Sequence, residues 1–181
     1  VIFCLTDKFL GAPLRHYKFM FDGLKEVADG LEQLNIPFHL LRGAHAVEIP
    51  KFVKNLNIGC LICDFSPLKI HREWVDGIKS RLPANVPFIQ IDSHNIVPLW
   101  IASTHEESAA YTFRPKINAK LSEYLTEFPA LIRHPYKADK SSPKIDWEGT
   151  LESLDLDKSV GAVDWIKSGY RGGIHTLETF I

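Results

Sequence analysis

The chain of 181 residues, 45% of them hydrophobic, is long enough to bury one sizeable core with little left over. Its 21 basic and 22 acidic side chains leave a formal net charge of -1, which excludes the basic excess of a domain that grips nucleic acid by itself. Three cysteines are too few for a disulfide scaffold and fit a reduced, intracellular compartment, and no apolar stretch reaches the length of about 18 residues that a membrane span needs.

In chain order, Val1–Leu5 is a first apolar run of strand length, and Leu14–Leu34 follows with Phe21, Leu24, Val27, Ala28, Leu31 and Leu34 at helical spacing. That helix ends at Asn35, ahead of Pro37, where a second strand, Ile36–Leu41, begins. Pro50 opens a short helix running through Leu56, since proline suits a first helical position. Ile58–Cys63 is a third strand, Leu68–Leu82 a helix closed by Pro83, and Pro87–Ile91 a fourth strand. The strands do not alternate cleanly between polar and apolar, as expected when both faces are covered. Strand–helix alternation of this kind predicts an α/β fold with a doubly wound parallel sheet.

Beyond Asp92 the pattern changes. Arg114–Phe128 reads as a further helix, and Pro129–Gly149, with three prolines and two adjacent serines, as an extended linker. Thr150–Asp157 has room for one or two helical turns, and Gly172-Gly173 precede a helix starting near Ile174. The expected organisation is an α/β domain over residues 1–128, a linker over 129–170 and the start of a helical domain at 171–181. With no initiating Met and both ends inside apolar or amphipathic runs, the chain is expected to be a piece of something longer.

Ligands of open α/β sheets bind outside the carboxyl ends of the strands. Here those ends carry Thr6-Asp7, Arg42-Gly43, Asp64-Phe65-Ser66-Pro67 and Asp92-Ser93-His94-Asn95. Asp64 and Asp92 can accept hydrogen bonds from a ligand, or they can cap the turn or helix that follows them. No G-x-G-x-x-G follows a strand and no G-x-x-x-x-G-K-[ST] exists, so dinucleotide and phosphate-loop sites lack their signatures. The eight histidines show no metal-binding spacing. Cys60 and Cys63 lie in a strand, where residues three apart face opposite sides, and read as structural. Trp74, Trp100, Trp147 and Trp165 read as packing aromatics. A self-contained enzyme is not expected.

Three stretches, in this order and spacing, resemble class II pyrimidine-dimer photolyases of the photolyase/cryptochrome family. They are Val1–Leu5 continuing to Phe9-Leu10-Gly11-Ala12, Arg15-His16-Tyr17, Phe19-Met20 and Gly23-Leu24; Ile36–Leu41 with Asp64-Phe65-Ser66-Pro67-Leu68; and Ile91-Asp92-Ser93-His94-Asn95-Ile96-Val97-Pro98 with Arg114-Pro115-Lys116-Ile117. The resemblance covers nearly the whole chain and weakens across 130–158.

What the resemblance implies is a two-domain flavoprotein lyase. Its helical domain holds FAD, contacts ultraviolet-damaged DNA and receives the extruded dimer, at an unstacking cost of roughly a few kcal/mol. Excited reduced FAD lends the dimer an electron, and the protein positions the cofactor. The α/β domain can hold an antenna chromophore, a deazaflavin or a folate, and here the expected pocket is Thr6, Asp7, Asp64, Phe65, Ser66, Asp92 and Asn95. The full-length protein is expected to be a nuclear, monomeric enzyme without a membrane partner, and this chain alone to be inactive. No FAD ligand, DNA-contacting residue or electron-relay tryptophan can be carried over onto it.

The family's central first strand, with its Trp-Met and Arg-Asp-Gln-Arg runs, has no counterpart here. Two half-sheets are therefore expected, Ile36–Leu41 beside Val1–Leu5 and Ile58–Cys63 beside Pro87–Ile91. Two other readings stay open. One is a cryptochrome-like blue-light photoreceptor; the other is a non-catalytic nucleotide-binding α/β module or scaffold.

Overall fold

A computed structural model describes residues 1–136 and 143–181, so part of the expected linker, residues 137–142, lies outside the described residues. Among the described residues, four strands and seven helices follow one another as β1 (Ile2–Leu5), α1 (Leu14–Gln33), β2 (His39–Arg42), α2 (His45–Asn55), β3 (Leu61–Asp64), α3 (Lys69–Lys79), β4 (Phe88–Ile91), α4 (Leu99–Ala102), α5 (Ala110–Tyr124), α6 (Trp147–Glu152) and α7 (Gly169–Phe180). They divide into two units, Val1–Ala44 with Leu131–Ile181, and His45–Ala130. The α/β class stands, and among the described residues the strands form two two-stranded parallel sheets, β1–β2 and β3–β4. These are the two half-sheets expected from the sequence.

In the first unit, β1 and β2 pair from Ile2 opposite His39 to Leu5 opposite Arg42. Tyr17 and Phe21, one helical turn apart on α1, bury against Leu5 and Leu154, with Phe3, Met20, Leu40 and Trp147 packed around them. The end of α1 is a Schellman motif. Asn35 takes a left-handed φ of 60°, the Ile36 N–H reaches Leu31 O at 2.9 Å and the Asn35 N–H reaches Glu32 O at 3.0 Å. Asparagine tolerates that conformation better than most residues, and Pro37 then prevents the helix from resuming. Helix α7 packs on α1, where a Cβ on Gly23 would lie 3.6 Å from the Gly169 backbone.

In the second unit, β3 and β4 pair from Leu61 opposite Phe88 to Asp64 opposite Ile91. Helix α2 ends like α1: Asn57 has φ of 50°, with Ile58 N–H to Val53 O at 3.0 Å and Asn57 N–H to Lys54 O at 3.3 Å. Helices α2 and α3 pack closely, since a Cβ on Gly77 would come within 2.8 Å of the Ala46 Cβ. Trp74 of α3 stacks on His45 of α2, ring centroids 3.8 Å apart.

Several helix boundaries differ from those read in the sequence. Helix α2 starts at His45, not Pro50, because His45–Glu48 supply a first turn with Glu48 well placed for the helix dipole. Pro50 therefore sits inside the helix. Helix α5 runs from Ala110 to Tyr124, four residues earlier at each end than expected, again with a proline, Pro115, inside it. Helix α6 opens at Trp147 because the Asp146 carboxylate accepts the Gly149 N–H at 2.9 Å. Helix α7 opens at Gly169, ahead of the glycine pair taken as its entry.

Candidate functional site

The first unit's strand ends place Thr6 and Asp7 after β1 and Arg42 and Gly43 at and after β2. The Arg42 guanidinium donates to Asp7 at 2.7 Å and to Ser153 Oγ at 2.8 Å. Tyr17, its phenol pushed up first by burial and then by the Asp7 charge, stays protonated and donates to Thr6 O at 3.0 Å. Asp7 thus has a cationic partner at the site's edge, but one that is itself half exposed.

The second unit brings together the other five predicted residues, Asp64, Phe65, Ser66, Asp92 and Asn95, at the ends of β3 and β4. Asp64 accepts Ser93 Oγ–H at 2.6 Å, Ser93 N–H at 3.1 Å and Phe65 N–H at 3.0 Å, with His94 Nε2 at 3.5 Å. Burial pushes this carboxyl up, but the Ser93 bonds and the neighbouring imidazole outweigh it and hold the group below the usual carboxylate range. Asp92, only 8% exposed, takes the Asn95 amide and N–H at 3.0–3.2 Å and the Leu99 N–H at 2.9 Å. Burial acts against its charge as well, and the Asn95 and Leu99 donors again prevail and lower its pKa. Both oxygens of Asp92 are committed to folding the loop onto the first residue of α4. Ser66 Oγ lies 2.7 Å from His71 Nδ1, which fixes the entry to α3.

Phe65 meets Trp100 edge to face at 5.8 Å. Trp100 and Phe113 border an open cleft of about 660 Å³ whose other wall is the connection from α4 to α5. That connection is pinned by Lys116, which donates to Glu107 and lies 3.3 Å from both Ser103 Oγ and His105 Nε2. The Lys116 bond, then Ser103, pull Glu107 down to about 2. Nothing in the sequence distinguished these residues, because the contacts join positions 9 to 13 apart across a connection with no helical or strand period. Trp74 and Trp147 are packed among aromatic rings, whereas Trp165 is 81% exposed. Among the described residues no three His, Cys, Asp or Glu side chains converge as a metal site.

A sequence model of the DNA photolyase family matches residues 1–134. The chain belongs to this family. It is 48% identical over all 181 residues to a deoxyribodipyrimidine photo-lyase of Potorous tridactylus, and 35% identical over 180 residues to one of Arabidopsis thaliana. It covers 34% and 36% of those two proteins, so it spans about a third of the length of the curated relatives it matches. Among solved structures, an archaeal photolyase from Sulfolobus tokodaii, described with two FAD molecules, is similar at a TM-score of 0.60 and 15% identity. That likeness covers 97% of this chain and 39% of the archaeal one, and it shows the photolyase fold. Within this chain, the strand-end carboxylates are engaged by the chain's own donors, and a half-exposed aromatic ring, Trp100, lies one element further on.

Proposed function

We propose that this chain is the α/β portion of a light-driven lyase that reverses cyclobutane pyrimidine dimers in DNA. The observation that carries the reading is the match to named deoxyribodipyrimidine photo-lyases along the whole chain. In the whole protein, FAD would supply on excitation the electron that opens the cyclobutane ring, and the electron would return to the flavin.

Among the described residues, the strand ends do not fit the pyrophosphate of FAD. Its strand ends present Asp7, Asp64 and Asp92, and the charge of Asp64 and Asp92 is reinforced by hydrogen bonds, so a flavin pyrophosphate there would face carboxylates. No glycine-rich loop offers that pyrophosphate its N–H groups instead. FAD and damaged DNA are accordingly assigned to the part of the relatives' length that this chain does not span. The division into an α/β domain at 1–128, a linker at 129–170 and the start of a helical domain at 171–181 belongs to the same proposal, as does a nuclear location. No helix among the described residues is long and apolar enough to cross a membrane.

For an antenna chromophore, we propose the same strand-end residues, with Asp64 and Phe65 as the ones that meet it. Asp64, 36% exposed, and Phe65 have surface left for a ligand, while Asp92 and Asn95 shape the loop behind them. Ser66 is engaged with His71, and Thr6 and Asp7 lie at the end of β1.

The test is a blue-light repair assay on DNA carrying a thymine dimer. The protein at the full length of its relatives restores the dimer to two thymines. The 181-residue chain with added FAD does not, and repair by it alone would overturn the division of labour.

A further inference from the structure

The geometry points to a second ligand site, distinct from the strand ends, in the cleft between Trp100, Phe113 and the connection 103–109: it binds a planar aromatic cation. Three features converge. The cleft, about 660 Å³, falls in the size range of small-molecule pockets. Its apolar surface is a flat one, because Trp100 is 47% exposed and its ring orientation is set by the edge-to-face contact with Phe65. The opposite wall is held in place before any ligand arrives, since Ser103, His105 and Glu107 are gathered on Lys116.

The charge follows from what that network leaves over. Lys116 is matched by Glu107, whose side chain is 12% exposed, so the pair cancels within the wall. Glu106, exposed beside it, adds a carboxylate with no counter-ion from this cluster. With His105 counted as neutral, the formal charge of the cleft is therefore net negative beside a half-exposed indole, and both features favour the same partner. A positive charge delocalised over a flat ring stacks on the indole by dispersion and cation–π attraction and is held by Glu106. A planar anion would meet Glu106 unfavourably.

Proflavine, a planar tricyclic cation, is the probe, titrated into the 181-residue chain at low ionic strength while its absorbance and the tryptophan fluorescence are followed. The expected result is saturable one-to-one binding, weakened about tenfold or more by Trp100→Leu. Glu106→Gln, on an exposed position with no packing to lose, weakens it about threefold, and salt erases that difference. Acridone, a neutral ring system of the same shape, binds more weakly and does not respond to Glu106→Gln. Absence of saturation with the wild-type chain, or an affinity unchanged in both variants, overturns the site. Acridone binding as tightly as proflavine overturns the charge assignment.

Discussion

The β1–β2 and β3–β4 sheets are built from similar sequence and end up in different surroundings. Both are short parallel pairs written in apolar residues. Yet β1 is half-buried throughout and ends on the fully buried Leu5, while β3 and β4 alternate, with Ile62, Ile89 and Ile91 exposed along one face. The difference lies in what else each unit contains. Helices α1 and α6 and the turn at Leu154 cover β1, whereas no described element of the second unit shields the isoleucine face of β3–β4 from solvent. An unalternating apolar strand thus reports the cover it is suited to, and only the packing shows the cover it has.

The strand ends differ in the same instructive way. Asp7 is balanced by a charge, the Arg42 guanidinium, in an exposed setting. Asp64 and Asp92 are balanced by Ser, Asn and backbone donors close to the chain, with Asp92 buried. An exposed ion pair contributes little, roughly 0–1 kcal/mol. A buried carboxylate that satisfies several donors is far harder to remove, since each donor left unpaired costs about 1–3 kcal/mol.

These contrasts rank the effects of substitution, measured by urea unfolding of the chain. Leu5→Ala in β1 should cost the most, about 2–5 kcal/mol, because it empties a packed site. Asp92→Ala should follow at about 2–3 kcal/mol, leaving the Leu99 and Asn95 donors unpaired. Equal losses from Asp92→Ala and Asp7→Ala would break the distinction between the two strand ends. Ile89→Ala, on the exposed face, should cost about 1 kcal/mol or less.

Acid sharpens the same comparison. Asp64, Asp92 and Glu107 have pKa values held below their ordinary ones, so the stability they contribute is complete above the unfolded-state values near 4 and is lost as pH falls. For Glu107 the window runs from the ordinary value of 4.5 down to about 2. The second unit holds these three carboxylates against Asp157 in the first, and should therefore loosen before it as pH falls below about 4. Amide exchange with proton assignment reads this directly, and earlier opening of the Leu5–Tyr17–Phe21 core would count against it.

Much of this was legible in the sequence. The four strands were placed within three residues of where they lie, and Asn35 before Pro37 marked the end of α1, because caps and turns are local chemistry. Pairing β1 with β2 and β3 with β4 was legible through the family resemblance. Less legible was what Asp92 binds within the chain, since ligand contact and capping share the same sequence; the bond it accepts from the Leu99 N–H, seven residues on, leaves no mark in spacing. The Arg42–Ser153 bond spans 111 residues and the Lys116 cluster has no period, so neither left a trace in spacing. The early starts of α2 and α5 were hidden because Pro50 and Pro115 look like openings and sit inside helices.

The division of labour we propose is that this chain supports photorepair in the whole protein without performing it. The most direct measurement pairs a thermal melt with a dimer-repair assay, under direct flavin excitation, on the full-length protein carrying Asp92→Asn. The account predicts a lower melting temperature, from loss of one of the two carboxylate oxygens that fold the loop onto α4, and a repair rate per folded molecule unchanged within about twofold. Repair abolished while the melt is unchanged would place Asp92 in the chemistry and contradict it.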